Sequence, residues 1–265
     1  VPRADVVAVA DDDPAGLKSA VERTGALQGY ADSRELLDRE RLDVVAIAPR
    51  CLDQHAEYAL AALERGCHVY IEKPFCRNLE EADAIVRAAE MRHLKLAIAH
   101  QTRWSPVLTA MLKELRAGVI GRVLELRGRG KEDANRGGGE DLWVLGSHIL
   151  DLMRAVAGDP RTCSARIGHA GRDATRADIA AGPEGIGPLV GDQVHSTYAF
   201  DDGVVGSFAS VRGAGGAKNR FGLQIFGSEG VIDIVTGHIV ACHVLRDPTW
   251  SPGRSGQAWM PLTSN

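Results

Sequence analysis

Residues 43–74, DVVAIAPRCLDQHAEYALAALERGCHVYIEKP, decide the fold. Two short and mostly apolar runs, 43–48 and 68–71, are typical of buried strands. The apolar residues between them recur at the spacing of one helix face, at Ala56, Ala59, Leu60 and Leu63. Gly66 then provides a helix stop signal. A strand, a helix and a strand in this order predict a parallel pair joined by a crossover helix.

The same alternation continues on both sides of this unit. Its further strand-like runs and helix starts are 6–10, 95–99, Asp13-Pro14, Asn78 and Ser105-Pro106. Apolar strands separated by amphipathic helices predict an α/β domain over residues 1–120. We expect its parallel sheet to be covered by helices on both faces.

The pattern changes after about residue 121. A helix is predicted over 146–156, and residues 165–192 read as a long loop because they are rich in Gly, Ala and Asp with little periodicity. The remaining strand-like runs are separated by turn residues, and Asp202-Gly203 between two of them predicts a hairpin. The sequence therefore predicts a second α/β domain, residues 121–265, with an open antiparallel sheet.

The composition indicates a folded protein whose partner is neither nucleic acid nor membrane. Of the 265 residues, 45% are hydrophobic, and the net charge of −4 argues against a polyanionic surface as the main partner. No apolar run approaches the ~18 residues of a membrane span. The five cysteines form no C-x-x-C pair and His55 has no partners at ligand spacing, so we expect no metal and a reducing, cytoplasmic location. Because residue 1 is Val rather than Met, the sequence leaves open whether a targeting segment precedes it.

Asp11 is the first candidate for a cofactor contact. It follows the first predicted strand, at the sheet edge where dinucleotide folds place an acid on the adenosine ribose. A carboxylate there favours NAD over NADP because it repels a 2′-phosphate. The other interpretation of Asp11 is a helix cap, a role that Asp13 fills better because it precedes Pro14. Pro49, after the next apolar strand, allows the chain to pass close to the adenosine.

The phosphate-binding glycine loop of such folds lies about 20 residues before that acid. Counting back from Asp11 passes residue 1, so we expect the loop and its strand to lie upstream. The Pro- and Gly-rich stretch after Trp250 likewise reads as unfinished. We therefore expect residues 1–265 by themselves to bind dinucleotide weakly, with a slot or altered pairing between 6–10 and 44–48. Gly137–Gly139 is interpreted as a flexible loop rather than a phosphate cradle.

Glu72-Lys73-Pro74 follows the strand 68–71 at the same edge. Pro74 disfavours the helical conformation at Lys73 and holds the chain extended. Most lysines are solvated surface charges, but this one lies on a stiff loop where ligands bind in open α/β sheets.

Three motifs, taken in this order, resemble the Gfo/Idh/MocA family, which includes glucose–fructose oxidoreductase and inositol dehydrogenase. The first motif combines residues 43–49 and 62–69 with Glu72-Lys73-Pro74. The second is Gln101-x-Arg103-Trp104, and the third runs from Leu145 through Gly146-Ser147-His148 to Leu152. The resemblance spans roughly residues 1–245. It implies a Rossmann domain followed by an α/β domain whose open sheet commonly forms homo-oligomer contacts.

The resemblance implies an NAD(P)-dependent oxidoreductase that acts on a hydroxyl of a sugar, cyclitol or related polyol. Glu72, Lys73 and Gln101 match segments near the nicotinamide end of the cofactor. Lys73 matches the family's active-site lysine, and His148 matches its acid/base histidine. Histidine suits the proton transfer because its ordinary pKa lies near neutrality, and a lysine polarises the reacting oxygen.

The sequence departs from the family at one position. Many members have Asp four residues before the histidine, where this chain has Val144. Asp151, three residues after His148 on the same helix face, is a candidate orienting partner, and a surface or supporting role is an equal alternative. Proton transfer can instead rest on Lys73. Val144 also leaves two alternative functions open. One is a non-catalytic family relative that binds a cofactor or sugar, and the other is an enzyme that uses transient oxidation without net redox change.

Four further residues are candidates for substrate contacts. Arg103 and Lys131 suit a polar or anionic substrate, although the basic stretch 127–131 is also typical of a solvated strand face. Trp104 and Trp143 are candidates for stacking on a sugar or on the nicotinamide, with core packing as the alternative.

Overall fold

A computed structural model describes residues 4–134, 136–183, 185–214, 220–251, 253 and 255–264. Its contacts divide the chain into two units. The first unit runs to Ala99 and includes Gly185 and Ile186 from a later loop, and the second unit begins at His100. This division falls earlier than the boundary at residue 120 that the sequence predicts, because the helix over 106–116 packs into the core of the second unit.

The first unit alternates short strands with helices. Its elements are β1 (Ala8–Ala10), α1 (Pro14–Thr24), β2 (Gln28–Tyr30), α2 (Ser33–Arg39), β3 (Val44–Ile47), α3 (His55–Glu64), β4 (His68–Ile71), α4 (Leu79–Met91) and β5 (Leu96–Ile98). Asp13 caps α1, since its carboxylate accepts hydrogen bonds from two backbone N–H groups of the first turn. Asn78 caps α4 by accepting from the N–H of Glu81 at 2.8 Å.

The parallel sheet β3-β4-β5 carries the core of the first unit. Ile47, Val69 and Ile71 are buried on one face, in a cluster with residues of α3 and α4. On the other face Val44 and Tyr70 are 54% and 43% exposed. The expectation that helices cover both faces is therefore wrong for these strands, because the two helices in the cluster, α3 and α4, lie on one side.

The strands β1 and β2 form a separate parallel pair. The doubly wound order 3-2-1-4-5-6 places strand 1 between the two halves of the sheet. The pair β2-β1 and the sheet β3-β4-β5 correspond to those halves. Among the described residues no strand pairs with the free edge of β1 or with the free edge of β3.

The second unit is built on one large sheet. Its elements are α5 (Pro106–Arg116), β6 (Val123–Arg129), α6 (Gly139–Val144), α7 (Gly146–Ala157), β7 (Thr162–His169), β8 (Arg172–Asp173), β9 (Ala180–Ala181), β10 (Pro188–Leu189), β11 (Gln193–Ala199), β12 (Val205–Val211), β13 (Gly222–Gly227), β14 (Val231–Val235), β15 (Ala241–Leu245) and β16 (Met260–Leu262). Nine strands follow the order β16-β15-β14-β13-β6-β12-β11-β7-β8. The sheet is antiparallel except for the parallel pair β12–β6, and β11 and β12 form the predicted hairpin around Asp202-Gly203.

The helices α5 and α7 contribute to the core on this sheet. Leu108, Ile149 and Phe208 are at most 1% exposed in the cluster that they share. A Cβ atom on Gly128 of β6 would lie 2.5 Å from the Ile149 side chain. The close approach of α7 to the sheet therefore requires glycine at this position.

Two sequence-based interpretations in this unit are wrong. Residues 165–192 are not one loop, since they contain most of β7 and three short strands. Gly137–Gly139 is not a flexible loop, because all three glycines are packed against neighbouring backbone. Cβ atoms on Gly137 and Gly139 would lie 2.2 Å from the Cα of Arg212 and 2.4 Å from the carbonyl oxygen of Val190.

Candidate active site

Asp11 lies directly after β1, at the carboxyl end of the strand. Its Oδ1 accepts a hydrogen bond from the N–H of Asp13 at 2.9 Å. Its Oδ2 faces the start of α1, where a Cβ on Gly16 would lie 2.5 Å away. The absence of a side chain at Gly16 thus leaves room for the Asp11 carboxylate at the helix start, where a carboxylate can accept hydrogen bonds from ribose hydroxyls. Asp13 caps α1, so the Asp11 carboxylate is not needed as the helix cap.

Lys73 lies directly after β4, in the loop that leads to α4. Its backbone N–H donates to the Glu72 carboxylate at 3.1 Å. The peptide bond between Lys73 and Pro74 is cis. Pro49 lies in the corresponding loop after β3. The structure therefore brings the predicted cofactor contacts of the first unit, Asp11, Pro49, Glu72 and Lys73, to the carboxyl ends of its parallel strands.

His148 lies in the first turn of α7. Its half-buried ring contacts the ring of His100 edge to face, with 5.3 Å between the ring centroids and an angle of 88° between the planes. His100 is the second residue after β5, so it also lies past the carboxyl end of a parallel strand. No motif in the sequence marks His100, and only its position after the fourth apolar run points to it.

Arg103 and Asp151 form an ion pair between the segment after β5 and α7. The guanidinium donates to both carboxylate oxygens, with Nη2 to Oδ1 at 2.7 Å and Nε to Oδ2 at 3.0 Å. Arg103 also donates to the backbone carbonyl of Asp151 at 2.9 Å. The ion pair thus links Arg103, which was predicted to contact the substrate, to Asp151, which was predicted to orient His148. This ion pair ties the segment after β5 to α7.

The other predicted contacts of the second unit have different environments. Trp104 is 74% exposed and Gln101 is exposed. Lys131 forms an ion pair with Asp133 at 3.2 Å. The Trp143 indole N–H is buried and has no hydrogen-bond partner among the described residues.

Ser147 adds a second unsatisfied polar atom beside the candidate acid/base group. Its hydroxyl is buried and makes no hydrogen bond within the described part of the chain. Because buried polar atoms are normally hydrogen-bonded, such atoms indicate a place for a ligand or for water. Ser147 immediately precedes His148, and Trp143 lies four residues before Ser147, so both donors belong to the α6–α7 segment.

A network of two fully buried carboxylates supports the start of α6. Glu132 accepts hydrogen bonds from Arg129 at 2.8 Å and from Arg220 at 2.6 Å. Asp141 accepts from the Ser210 hydroxyl at 2.5 Å. Its Oδ1 atom has no partner among the described residues, and burial raises the pKa of this carboxyl. The network anchors the turn that leads to His148, and the sequence gives no signal for it.

No helix in the described residues has the length and hydrophobicity needed to cross a bilayer. The five cysteines are free thiols. Within the same residues, His, Cys, Asp and Glu side chains form no group of three or more that could hold a metal ion.

Comparison with known proteins agrees with this architecture. A family model described as an oxidoreductase family with an NAD-binding Rossmann fold matches residues 1–100. A model of the GFO/IDH/MocA C-terminal domain matches residues 109–233. The fold and these matches define a chain with an NAD-binding Rossmann domain followed by a GFO/IDH/MocA C-terminal domain. The chain belongs to the Gfo/Idh/MocA family, which confirms the resemblance that its motifs carry.

Named relatives act on sugars. The chain is 29% identical over 249 residues to levoglucosan dehydrogenase of Pseudarthrobacter phenanthrenivorans, a match that covers 84% of this chain and 63% of that protein. It is 29% identical over 186 residues to D-apiose dehydrogenase of Paraburkholderia graminis, covering 67% of this chain and 49% of that protein. Among solved structures, levoglucosan dehydrogenase in complex with NADH superposes with a TM-score of 0.78 at 26% identity, over 97% of this chain and 70% of that one. The chain therefore spans less than two thirds of the length of these curated relatives.

Proposed function

We propose that the protein is an NAD-dependent oxidoreductase that transfers hydride between the nicotinamide and a hydroxyl-bearing carbon of a sugar, cyclitol or related polyol. The observation that carries this proposal is the surroundings of His148. Its ring packs against His100, and the buried donors of Trp143 and Ser147 in the same segment have no partner among the described residues. Such donors suit a ligand rich in hydroxyl groups. The sugar dehydrogenases among the relatives support this substrate class.

The cofactor is held at the carboxyl ends of the strands in the first unit. The Asp11 carboxylate binds the adenosine ribose hydroxyls, with room provided by Gly16. Pro49 lies beside the adenosine, and Glu72, Lys73 and Gln101 contact the nicotinamide end. NAD supplies the hydride acceptor when it is bound. The negative charge of Asp11 favours NAD over NADP.

Proton transfer rests on residues of this chain. When an alcohol is oxidised, His148 takes the hydroxyl proton, and NAD bound at this site would accept the hydride that leaves the carbon. Lys73 stabilises the negative charge that develops on the substrate oxygen. Asp151 positions His148 through its own helix and through Arg103, rather than by taking a proton.

The test is NADH formation with a panel of sugars and cyclitols at a saturating NAD concentration. Lys73→Ala and His148→Ala are each expected to lower kcat by about 10²-fold or more, with a much smaller effect on NAD affinity. Lys95→Ala is the matched control, because Lys95 is exposed in the same unit.

Wild-type turnover by both active-site variants contradicts this mechanism. NAD binding without turnover on any polyol indicates the non-catalytic relative. Turnover without net NADH indicates transient oxidation.

We also propose that the protein is cytoplasmic and self-associates through the exposed face of the large sheet. Free cysteines support a reducing location. The sheet face is lined by short polar side chains together with Arg166 and His195. His195→Glu is expected to shift light-scattering mass toward the monomer, because it places like charges on a self-complementary face. An unchanged mass excludes this face as the contact, and a monomeric wild type excludes self-association.

A further inference from the structure

Two residues of the turn after β5 contact two residues of α7. The N–H of Arg103 donates to the carbonyl oxygen of His100 at 3.1 Å and closes the turn that carries both side chains. His148 and Asp151 have the same spacing of three residues in α7, and residues three apart lie on one side of a helical turn. Arg103 forms an ion pair with Asp151, and the ring of His100 contacts the ring of His148. The turn and the helix therefore meet along matching faces.

The two positions expected to orient the His148 ring do not offer it a carboxylate. A catalytic base is normally oriented by a third group. Val144, where the sequence departs from the family, has an apolar side chain and is buried. The Asp151 carboxylate accepts from Arg103 through both oxygens, and within the described part of the chain its side chain makes no other hydrogen bond. Orientation of the His148 ring therefore depends on another group.

The contact with His100 restricts the rotation of the His148 ring. The His148 N–H donates to the carbonyl oxygen of Leu145 at 3.1 Å, which fixes the backbone but leaves the side-chain torsions to be set by packing. Edge-to-face packing is a preferred arrangement of aromatic rings, and these two imidazoles adopt it, with 5.3 Å between their centroids and an angle of 88° between their planes. Rotation of either ring would lose this alignment. The alignment requires no charge on either ring.

We propose that His100 is a positioning residue whose ring holds the His148 imidazole in the orientation for proton transfer. It takes the place of the carboxylate that is absent at Val144. This inference rests on the proposed function only in the role it gives to His148. His100 acts through the shape of its ring, and the Arg103–Asp151 ion pair holds the turn that carries it against α7. Another aromatic ring at position 100 therefore preserves the arrangement, and a small aliphatic side chain does not.

Proton–carbon NMR of the histidine rings tests the contact itself. The chain is labelled with ring-¹³C histidine, and the ring C–H signals of its nine histidines are compared at one fixed pH. The ring that supplies the edge places its protons over the face of the other ring, so we expect its signal to lie upfield. His100→Ala and His148→Ala each remove their own signal, and at least one of them is expected to move the signal of the other histidine. His100→Phe is expected to leave the His148 signal near its wild-type position.

His238→Ala, at an exposed histidine of the second unit, is the control and is expected to remove only its own signal. If the His148 signal is the same in His100→Ala as in the wild type, and the His100 signal is the same in His148→Ala, the rings are not in contact and the proposal is overturned. This measurement needs neither cofactor nor substrate, so its failure is distinct from a failure of the proposed function.

Kinetics test the positioning role, with the sugar or cyclitol of the panel that gives the highest wild-type turnover. His100→Ala is expected to lower kcat about fivefold or more while the KM for the polyol changes less than about twofold, because the loss falls on the geometry of proton transfer. His100→Phe restores an aromatic ring and is expected to keep kcat within about twofold of the wild type. His238→Ala is again the control.

A wild-type kcat in His100→Ala contradicts the positioning role. Equal losses of kcat in His100→Ala and His100→Phe would show that the ring nitrogens of His100 are needed rather than the shape of its ring, and this outcome also overturns the proposal.

Discussion

Arg103 and Asp151, 48 residues apart in the sequence, are joined by four hydrogen bonds, three to the carboxylate and one to the backbone carbonyl. The pair fixes the segment after β5 against α7, one turn after His148. The Asp151 side chain is only 13% exposed, so its charge depends on Arg103 for compensation. The orientation of the α7 start is therefore coupled to the segment that carries His100.

Arg103→Ala is expected to lower the free energy of unfolding by about 1–3 kcal/mol, because it leaves a largely buried carboxylate without its donors. Arg103→Lys keeps the charge but loses the paired geometry, so we expect it to recover only part of the loss. Urea unfolding of Arg103→Ala, Asp151→Ala and the double variant measures the coupling. Strictly additive effects would show that the pair does not stabilise this arrangement.

Much of the first unit could be predicted from the sequence. The strands β3 and β4 are apolar runs, and α1 and α4 begin directly after Asp13 and Asn78, as these capping residues predict. The strand β2 could not be predicted, because Gln28–Tyr30 has no apolar pattern and is held by pairing with β1. The strand β7 was missed for the same reason. Five of its residues are exposed, and hydrogen bonds to β11 and β8 define it.

The candidate site was only partly accessible to sequence reasoning. Lys73 and His148 were found because each lies in a recognisable motif. The pairing of Arg103 with Asp151 and the contact of His100 with His148 depend on tertiary packing between distant segments. No local pattern predicts such contacts. The sequence could therefore supply the candidate groups but not the partner of each one.

Cofactor choice is predicted to depend on the charge of Asp11. Asp11→Ser removes the carboxylate that repels a 2′-phosphate, so the preference for NAD over NADP is expected to fall at least about tenfold. Gly16→Ala tests the geometry, because the added Cβ would lie 2.5 Å from Oδ2 and displace the carboxylate. It is expected to weaken NAD binding. Asp12→Ser, at the adjacent exposed position, is the control. Tighter binding of NADP than of NAD by the wild type would refute this assignment.

Because the Asp141 carboxyl is buried, we expect the folded protein to lose stability as the pH rises. Burial raises its pKa in the folded protein above the ordinary value of about 3.9. Between those two pKa values the unfolded chain has lost this proton and the folded chain keeps it. The free energy of unfolding therefore falls as pH rises through that window, by up to about 1.4 kcal/mol per pH unit.

Asp141→Asn is expected to flatten this dependence, because the amide cannot ionise and its oxygen still accepts from Ser210. Urea unfolding from pH 4 to pH 8 measures the difference in slope between the two proteins. Asp201→Asn is the control: hydrogen bonding to Arg161 lowers the pKa of Asp201, so its titration lies below pH 4 and the slope of this variant is expected to follow that of the wild type from pH 4 to pH 8. Parallel slopes for the wild type and Asp141→Asn would show that Asp141 is ionised in the folded state.

The separation of β1 from β3 predicts how residues 1–265 behave in isolation. Each strand keeps one edge without a strand partner among the described residues. Backbone N–H and C=O groups along such an edge lack the hydrogen bonds that a neighbouring strand would supply, so the sheet is less stable there than a continuous one. Exposed edges also favour association with other chains. We therefore expect this chain to bind NAD weakly and to aggregate. Equilibrium dialysis with NAD, with light scattering and urea unfolding on the same sample, is the test. Micromolar NAD binding by a monodisperse and cooperatively unfolding sample would show that pairing at these two edges is not needed to form the dinucleotide site.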